Sequence, residues 1–421
     1  METREERFRR LQLAFNVIAH HDMDLSFSDL IDNNRDVFSG FKLIYSTNHL
    51  ENTFANTSLK EIEDACPVLK KYFYGTALLF FSDELYDKTW KEGRVELPID
   101  YSLSLDSNAA ERFRIWEDGK SLDASEKDFE NLVRFIKEGA DNGFNFDYSF
   151  FIIENYYDSM KPDNHRPFNT VRALKRFDHL IYNKEIFSVT SPQFLETREK
   201  AGQRAIDTLY AFHSSSELKK FQQRRMLLYV VLLKAVLLNQ DKKLSLDSKL
   251  ASLVDFCLIK LDKFPKTELY FAWKFMKYGK KLRFFDPVSQ IGFKTKSKLK
   301  GMSWDIFALR YQETMASKSY KGEFFIPFFA SFDNRFVELT QACPIRAVLI
   351  DEIEKNVITI QLDELEFQTE LNSSITSEQI FELNDTKKKL TRMQQILTEG
   401  KLKDIAIELE DQLEQYCQQT V

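Results

Sequence analysis

Glycine and proline are scarce in this sequence, and their scarcity limits the folds open to the chain more than any other feature. The 421 residues include only 12 Gly and 9 Pro, which argues against a loop-rich or disordered chain and favours long helices. Phe is unusually frequent, with 38 residues against 4 Trp, so we expect a core rich in aromatic rings. The chain is long enough for one large core or for about two or three domains.

The charge and the cysteines indicate the environment of the protein. A net charge of −6 argues against attraction of nucleic acid over the whole surface, so a nucleic-acid site must be a local basic patch. The four Cys are far apart and form no CxxC pair, which predicts reduced, buried residues in a cytoplasmic protein. The first residues carry charges of both signs and do not form a signal peptide, and the most apolar stretch, 227–238, is too short to span a bilayer. We therefore expect no membrane partner.

Apolar runs alternate with helical patterns in two parts of the chain. We predict strands at 99–106, 324–329 and 345–350. We predict helices at 127–138, 148–160, 303–317 and 334–342, the third with Ser303 as its N-cap. Alternating strands and helices are typical of a parallel sheet, so we expect an α/β fold in a chain that is mostly helical overall.

These patterns divide the predicted fold into a sheet-containing core and several helical regions. The predicted organisation is an N-terminal, mostly helical region at 1–97, the first half of the core at 98–160, a helical insertion at 161–302, the second half of the core at 303–352, and a C-terminal strand with helices at 353–421. The charged faces of the C-terminal helices suit docking to the body of the protein or to a protein regulator.

Four acidic residues stand at or near the ends of apolar segments, and they are the best indication of function. They are Asp106, Glu154, Asp305 and Asp333. Ligands collect at the carboxyl ends of strands in open parallel sheets, where Asp106 and Asp333 are expected, while Asp305 is expected in the first turn of its helix. Converging carboxylates repel one another, and one or two Mg²⁺ or Mn²⁺ ions would offset that repulsion. We therefore predict that these four residues bind metal and are catalytic.

Each acid also has a simpler interpretation when it is taken alone. Asp305 could belong to a capped first turn, Asp333 could start a helix, and Asn108 could be a turn residue. The alternative to an enzyme is therefore a non-enzymatic helical interaction or adaptor protein that docks through its C-terminal helices. The two hypotheses differ in whether the four carboxylates converge within one metal-coordination sphere or two adjacent ones, or are spread over separate surfaces.

The order and surroundings of these acids resemble the PIN family of metal-dependent nucleases. The residues that carry the resemblance are Asp106-Ser107-Asn108 after the first strand, Glu154 on a helix, Asp305 with Ala308 three residues later, and Asp333-Asn334-Arg335-Phe336 before the strand 346–350. The resemblance implies a parallel-sheet fold, hydrolysis of RNA or DNA with a divalent metal, and a role for Asn108 in orienting Asp106 or the scissile phosphate. A toxin or phage-defence role, which would be antiviral, follows by association only.

The resemblance covers about a quarter of the chain and departs from compact family members in one respect. About 150 residues separate Glu154 from Asp305, where compact members have far fewer. If this block is not a clean insertion, the assignment of Glu154 fails first, and Asp158 or Glu111 would take its place. The choice between RNA and DNA stays open.

A basic and aromatic segment at 274–300 leads into Asp305. Its cations, opposed only by Asp286, are Lys274, Lys277, Lys280, Lys281, Arg283, Lys294, Lys296, Lys298 and Lys300. Interleaved aromatic residues suit a groove that follows a nucleic-acid backbone and stacks its bases. The alternative is a solvated helix and loop, which is the commoner meaning of a run of charges.

Other functional patterns are weaker or missing from the sequence. Arg172 and His179 have the Arg-x6-His spacing of metal-independent helical ribonucleases of the HEPN type, a spacing that occurs often by chance. The sequence contains no P-loop, no dinucleotide glycine fingerprint and no Gly-x-Ser-x-Gly elbow, so a nucleotide-binding ATPase is not expected.

Overall fold

The computed structural model describes residues 2–22, 25–49, 55–92, 97–140, 143–318, 321–395 and 397–420, which form a mixed α/β fold. The strands are β1 (Lys42–Thr47), β2 (Asn56–Ser58), β3 (Leu69–Lys71), β4 (Ala77–Phe81), β5 (Ile99–Leu105), β6 (Phe144–Asp147), β7 (Phe324–Ala330), β8 (Ile345–Asp351) and β9 (Asn356–Gln361). The helices are α1 (Arg4–His20), α2 (Phe27–Asp32), α3 (Arg35–Phe38), α4 (Leu59–Ala65), α5 (Asp83–Glu92), α6 (Ser107–Glu117), α7 (Glu126–Gly139), α8 (Ser149–Glu154), α9 (Arg166–Asp178), α10 (Arg198–Ser214), α11 (Ser216–Gln240), α12 (Leu246–Asp255), α13 (Lys266–Tyr278), α14 (Thr295–Ala316), α15 (Arg335–Ala342), α16 (Glu364–Ser374), α17 (Ser377–Asn384), α18 (Thr386–Gln394) and α19 (Glu399–Thr420).

The strands form two sheets with different directions of pairing. In the first sheet the order is β2–β4–β1–β8–β9, and each neighbouring pair is antiparallel. In the second sheet the order is β3–β7–β5–β6, where β5 is parallel to both β6 and β7, and the short β3 is antiparallel to β7. The second sheet therefore has three adjacent parallel strands with β5 in the middle.

The parallel strands are joined by helical crossovers, as parallel pairing requires. The crossover from β5 to β6 contains α6 and α7, and the connection from β6 to β7 contains α8 to α14. Every residue of β7 is buried, which is expected of a parallel strand that is covered on both faces. The long helical block of the sequence thus lies between the second and third strands of the parallel set.

The expectation that 345–350 joins the parallel sheet is wrong. This segment forms β8, which pairs antiparallel with β1 and β9 in the first sheet. All of its residues are buried, and a run that is apolar throughout does not distinguish a parallel strand from a central antiparallel one. The N-terminal region, which was expected to be mostly helical, also supplies β1 to β4.

The predicted helices are present with three corrections. The segments 127–138 and 334–342 correspond to α7 and α15. The helix expected to start at Ser303 is α14, which already begins at Thr295, so Ser303 is an interior residue and Asp305 is not in the first turn. The segment 148–160 is helical only in α8 and in the short 3-10 turn Asp158–Met160. Helix α6, whose N-cap is Asp106, was not predicted.

Helix α11 lies at the centre of the helical block and contacts α12, α13, α14 and α19. Its residues from Leu228 to Leu233 are all buried, since neighbouring helices surround this part of it. The C-terminal helix α19 buries Leu402, Leu409 and Leu413, so its apolar face packs within the protein. Within the described ranges, no helix is long and apolar enough to cross a membrane.

Candidate functional site

The three parallel strands end at one edge of the second sheet. In the register of the ladders, Leu105 of β5 pairs with Ala330 of β7, and Ser104 pairs with Asp147 of β6. The backbone N–H of Asp106 continues the ladder by donating to the carbonyl of Ala330 over 3.2 Å. The residues that follow β5 and β7 are therefore brought side by side, although more than two hundred positions separate them in the chain.

All four acids predicted from the sequence line one cavity at this edge, with a volume of about 190 Å³. Asp106 and Asp333 follow β5 and β7, Glu154 ends α8, and Asp305 comes from the middle of α14. The predicted Asn108 and Ala308 also line the cavity. Its remaining wall consists of Ser107, Phe150, Trp304, Phe329, Ser331, Arg335 and Phe336.

Asp106 and Glu154 are both held by the first turn of α6. Asp106 is the N-cap of this helix, and its carboxylate accepts a hydrogen bond from the backbone N–H of Ala109. The hydroxyl of Ser107 donates to the carboxylate of Glu154, and the Asn155 amide donates to the Ser107 hydroxyl over 2.8 Å. The capping role considered for such acids is thus real for Asp106, and it places this carboxylate at the cavity.

Asp305 and Asp333 share Arg335 as a partner. A guanidinium nitrogen of Arg335, Nη2, lies 3.3 Å from Asp305 Oδ2, and the backbone N–H of Arg335 donates to Asp333 Oδ1 over 2.9 Å. Asp333 Oδ1 is also 3.3 Å from the hydroxyl of Ser331, which donates to it. Arg335 is therefore the cation that lies among the carboxylates of the cavity.

Burial and mutual repulsion raise the pKa values of three of these acids. The pKa of Asp106 rises to about 7, and burial is the largest cause of this rise. The carboxylates of Asp333 and Glu154 raise this pKa further, whereas hydrogen bonds from Ser331 and Ala109 lower it. Burial also raises the pKa of Asp305 to about 6 although Arg335 opposes the rise, and Asp333 contributes to it.

The pKa of Glu154 rises for the same reasons, with burial first and the carboxylates of Asp305 and Asp333 also contributing, while Ser107 opposes the rise. Asp333 therefore raises the pKa of all three other acids, which means that the four carboxylates interact electrostatically as one group. Such a group has a higher affinity for a cation than any of its members alone.

The donor set suits a divalent ion chemically, although the carboxylates do not converge on a single point. Among the residues that the structure describes, no three His, Cys, Asp or Glu side chains are grouped closely enough to hold one metal ion. Each carboxylate is turned instead towards its own hydrogen-bond donor. Oxygen ligands are those that Mg²⁺ and Mn²⁺ prefer, and Mg²⁺ commonly keeps several waters beside one or two carboxylates. A cavity of about 190 Å³ has room for such a hydrated ion.

The substitutes considered for Glu154 lie elsewhere. Glu111 pairs with Arg166 and lies 3.5 Å from Arg114, so its charge is already neutralised. Asp158 pairs with Lys161 over 2.5 Å and does not line the cavity of the four acids. Glu154 is the acid that reaches the cavity from this part of the chain.

The basic segment 274–300 is not gathered into one groove. Four of its cations pair with acids of the C-terminal region: Lys274 with Asp363, Lys277 with Glu366 and Glu370, and both Lys296 and Lys300 with Glu410. Arg283 pairs with Glu338 over 2.8 Å. Lys280, Lys281, Lys294 and Lys298 are exposed. The segment was predicted to bind nucleic acid as a whole. The residues that remain candidates for that role are mainly these four lysines and Arg283.

Arg283 and its neighbours border the cavity through Arg335. The guanidinium of Arg335 packs 4.5 Å from the ring centroid of Phe284 and donates to the Phe284 carbonyl over 3.2 Å. Lys280 and Lys281 come shortly before Phe284 in the same turn-rich stretch. Within this end of the basic segment, Phe284 is therefore the residue in contact with Arg335 of the cavity wall.

Arg172 and His179 are held by structural contacts. Arg172 pairs with the buried Glu117 over 3.0 Å, and Glu117 also pairs with Arg176 and Arg198. His179 Nε2 lies 3.9 Å from Glu196. Arg172 therefore belongs to an ion-pair cluster that joins α9 to its neighbours, and His179 lies beside Glu196 just after the end of α9.

Sequence reasoning missed several residues of the cavity. Arg335 was noted only as part of a motif, and its ion pair with Asp305 spans 30 positions that no local pattern connects. Trp304 and the two hydroxyls of Ser107 and Ser331 were also missed. Their positions in the sequence could have indicated them, because each of these residues lies within two positions of a predicted acid.

Comparison with known proteins gave no match. No protein-family model, curated protein or solved structure matches this chain. A functional conclusion therefore depends on the chemistry of the cavity.

Proposed function

We propose that this protein is a divalent-metal-dependent nuclease that hydrolyses phosphodiester bonds of RNA or DNA. The observation that carries the proposal is that Asp106, Glu154, Asp305 and Asp333, from four separate segments, line one cavity. Holding three half-buried carboxylates beside one another and beside the exposed Asp333 is costly, because like charges repel, for a protein whose acids serve only as caps or surface groups. A bound Mg²⁺ or Mn²⁺ ion would offset the repulsion between the four carboxylates, which accounts for their lining the same cavity.

The order of the strands supports a PIN-like core at this site. Strand β5 is the middle one of three parallel strands, and Asp106 and Asp333 follow neighbouring strands, where ligands of open parallel sheets collect. The helical block lies between β6 and β7, as an insertion into such a core would. This core would consist of β5, β6 and β7 with α6, α8, α14 and α15.

The chain's own residues would bind and orient a phosphodiester. Helices α6 and α15 both begin at the cavity, and the backbone N–H groups at helix N-termini favour phosphate. Asn108, in the first turn of α6, would orient Asp106 or the scissile phosphate. A bound divalent ion would polarise the phosphodiester and lower the pKa of an attacking water. Phe150, Phe329 and Phe336 form an apolar wall that strengthens the electrostatic interactions.

The test is cleavage of fluorophore–quencher single-stranded RNA and DNA in Mn²⁺ or Mg²⁺ by Asp106→Asn and Asp333→Asn. Each variant should lose at least about 100-fold in rate without a large fall in melting temperature, because Asn can still accept the backbone hydrogen bond made to Asp106 or Asp333 and removes a repelling charge. Asp385→Asn is the matched control: Asp385 caps α18 through Lys388 N–H over 2.9 Å and does not line the cavity. Wild-type rates in both cavity variants would reject the proposal.

A further inference from the structure

A second cavity of about 430 Å³ adjoins the cavity of the four acids. Glu154 and Trp304 line both cavities, so the two are adjacent. The second cavity lies between α11, α14 and α19, which contribute Arg225, Lys300 and Lys403 to its wall. Its wall also includes three acids, Glu154, Asp158 and Glu410, so it carries cations and acids in equal number.

Arg225 is the unusual residue of this second cavity. It is only 8 % exposed, and in the parts of the chain that the structure covers its side chain has no ion pair and its Nε has no hydrogen-bond partner. Its guanidinium carbon lies 5.1 Å from the ring centroid of Trp304, the residue shared by both cavities. A buried cation without a partner is costly, and that cost is offset when an anion binds beside it.

The other two cations at this cavity already have ion-pair partners. Lys300 pairs with Glu410 over 3.1 Å, and Lys403 pairs with Glu399 over 2.7 Å. Among the acids, Asp158 pairs with Lys161, and Glu154 accepts the hydroxyl of Ser107. Among the three cations of this cavity, Arg225 is therefore the one without an ion pair in the described part of the chain.

We propose that Arg225 binds a phosphate of a single-stranded nucleic acid whose adjacent phosphate lies at the four carboxylates. This inference rests on the proposed nuclease function and specifies its substrate. A planar guanidinium recognises phosphate through two parallel hydrogen bonds. Trp304 lies between the two phosphate positions, where an unstacked base can pack against its indole. The concave, side-by-side cavities admit a single strand, whereas a duplex keeps its bases stacked inside.

The test is binding of a fluorescent single-stranded oligonucleotide, followed by anisotropy in EDTA over a range of salt concentrations. Arg225→Gln should weaken binding about 10-fold and lower the slope of log K against log salt by about 0.7. Arg225→Lys keeps the positive charge, so it should keep the salt slope and lose only about 2- to 5-fold in affinity. Arg224→Gln is the matched control, because Arg224 directs a guanidinium nitrogen to Thr314 Oγ1 over 3.4 Å and does not line either cavity.

Two sources of phosphate are distinguished by repeating the titration with oligonucleotides that carry or lack a 5′-phosphate. Equal losses in Arg225→Gln identify an internal phosphodiester, and a loss confined to the phosphorylated strand identifies a terminal phosphate. Melting temperatures separate binding from packing, since removing an unpartnered buried charge should not lower the melting temperature. If Arg225→Gln does not fold, Arg225→Lys and the salt slope decide the question.

Unchanged affinity and salt slope in the Arg225 variants, with both oligonucleotides, would overturn this inference. That result leaves the nuclease proposal standing if Asp106→Asn still abolishes cleavage. Conversely, a wild-type protein that cleaves neither RNA nor DNA would reject the nuclease proposal, while the titration in EDTA would still report on Arg225.

Discussion

The guanidinium of Arg335 lies 3.3 Å from the carboxylate of Asp305, while the backbone N–H of the same residue donates to Asp333. One residue thus contacts two of the four acids that line the cavity, one through its side chain and one through its main chain. The pKa of Asp305 is raised by burial and by the charge of Asp333, and the ion pair with Arg335 reduces the size of that rise. Arg335 therefore offsets part of the repulsion that bringing these carboxylates together creates.

We predict that Arg335→Gln lowers the free energy of unfolding of the metal-free protein by about 1 kcal/mol, because Asp305 loses its cation while the repulsion remains. Urea denaturation in EDTA measures this change. Mn²⁺ should restore more stability to the variant than to the wild type, since the ion takes over the lost charge balance. Arg283→Gln is the control: Arg283 is 84 % exposed and pairs with Glu338 rather than with a cavity acid, so its loss should change stability little. Equal effects of the two substitutions would contradict the role given to Arg335.

The raised pKa values of Asp106, about 7, and Asp305, about 6, predict how stability depends on pH. The folded protein holds these protons to a higher pH than the unfolded chain, so between about pH 4 and pH 7 the folded state binds more protons. The stability of the metal-free protein should therefore fall across this window, by about 1–2 kcal/mol from these two groups after solvent screening. Denaturant titrations of the wild type and of Asp106→Asn in EDTA test this, and the variant should show the smaller fall. A parallel pH dependence in both proteins would show that Asp106 does not titrate in this way.

The exposed lysines of the basic segment should contribute to nucleic-acid binding through charge. Reversal of both Lys280 and Lys281 to Glu should weaken oligonucleotide binding and flatten its salt dependence. Lys242 and Lys243, another exposed pair, lie beyond the far end of α11 and provide the control when reversed in the same way. Anisotropy titrations at several salt concentrations measure both effects. Identical losses in the two double variants would indicate a general effect of net charge and not a binding site.

The buried Glu117 should be a structural residue. Its side chain is 1 % exposed and pairs with Arg172, Arg176 and Arg198, so Glu117→Gln leaves three cations close together. We expect a loss of about 2–3 kcal/mol in unfolding free energy, because breaking a buried ion cluster costs more than an exposed pair. His179→Ala should leave nuclease activity unchanged, since His179 lies beside Glu196 and does not line the cavity of the four acids. Loss of metal-independent cleavage in His179→Ala would favour the HEPN-type alternative.

The sequence was sufficient to place the acids but not their partners. Asp106 and Asp333 each follow an apolar run. These runs form β5 and β7, which pair in parallel, so the residues that follow them lie close together. Arg335 could not be assigned in this way, because its contact with Asp305 depends on how α14 and α15 pack. Local patterns report strands and caps, whereas ion pairs between distant elements exist only once the chain has folded.

The errors in the predicted fold have similar causes. The apolar run of β8 is buried throughout, so its sequence does not indicate whether the neighbouring strands are parallel or antiparallel to it. The lysines of 274–300 looked unopposed because their acidic partners, such as Asp363 and Glu410, lie far along the chain. A capping role was considered for these acids in general, but helix α6 was not predicted, so the N-cap position of Asp106 could not be assigned.

Anomalous diffraction at the manganese edge, from crystals soaked in Mn²⁺, tests most directly whether the four carboxylates bind a divalent ion. We expect an anomalous peak between the carboxylates of Asp106 and Asp333, and its loss in crystals of Asp106→Asn. Anomalous density that appears only away from this cavity, or no density at saturating Mn²⁺, would contradict the metal site on which the proposed nuclease depends.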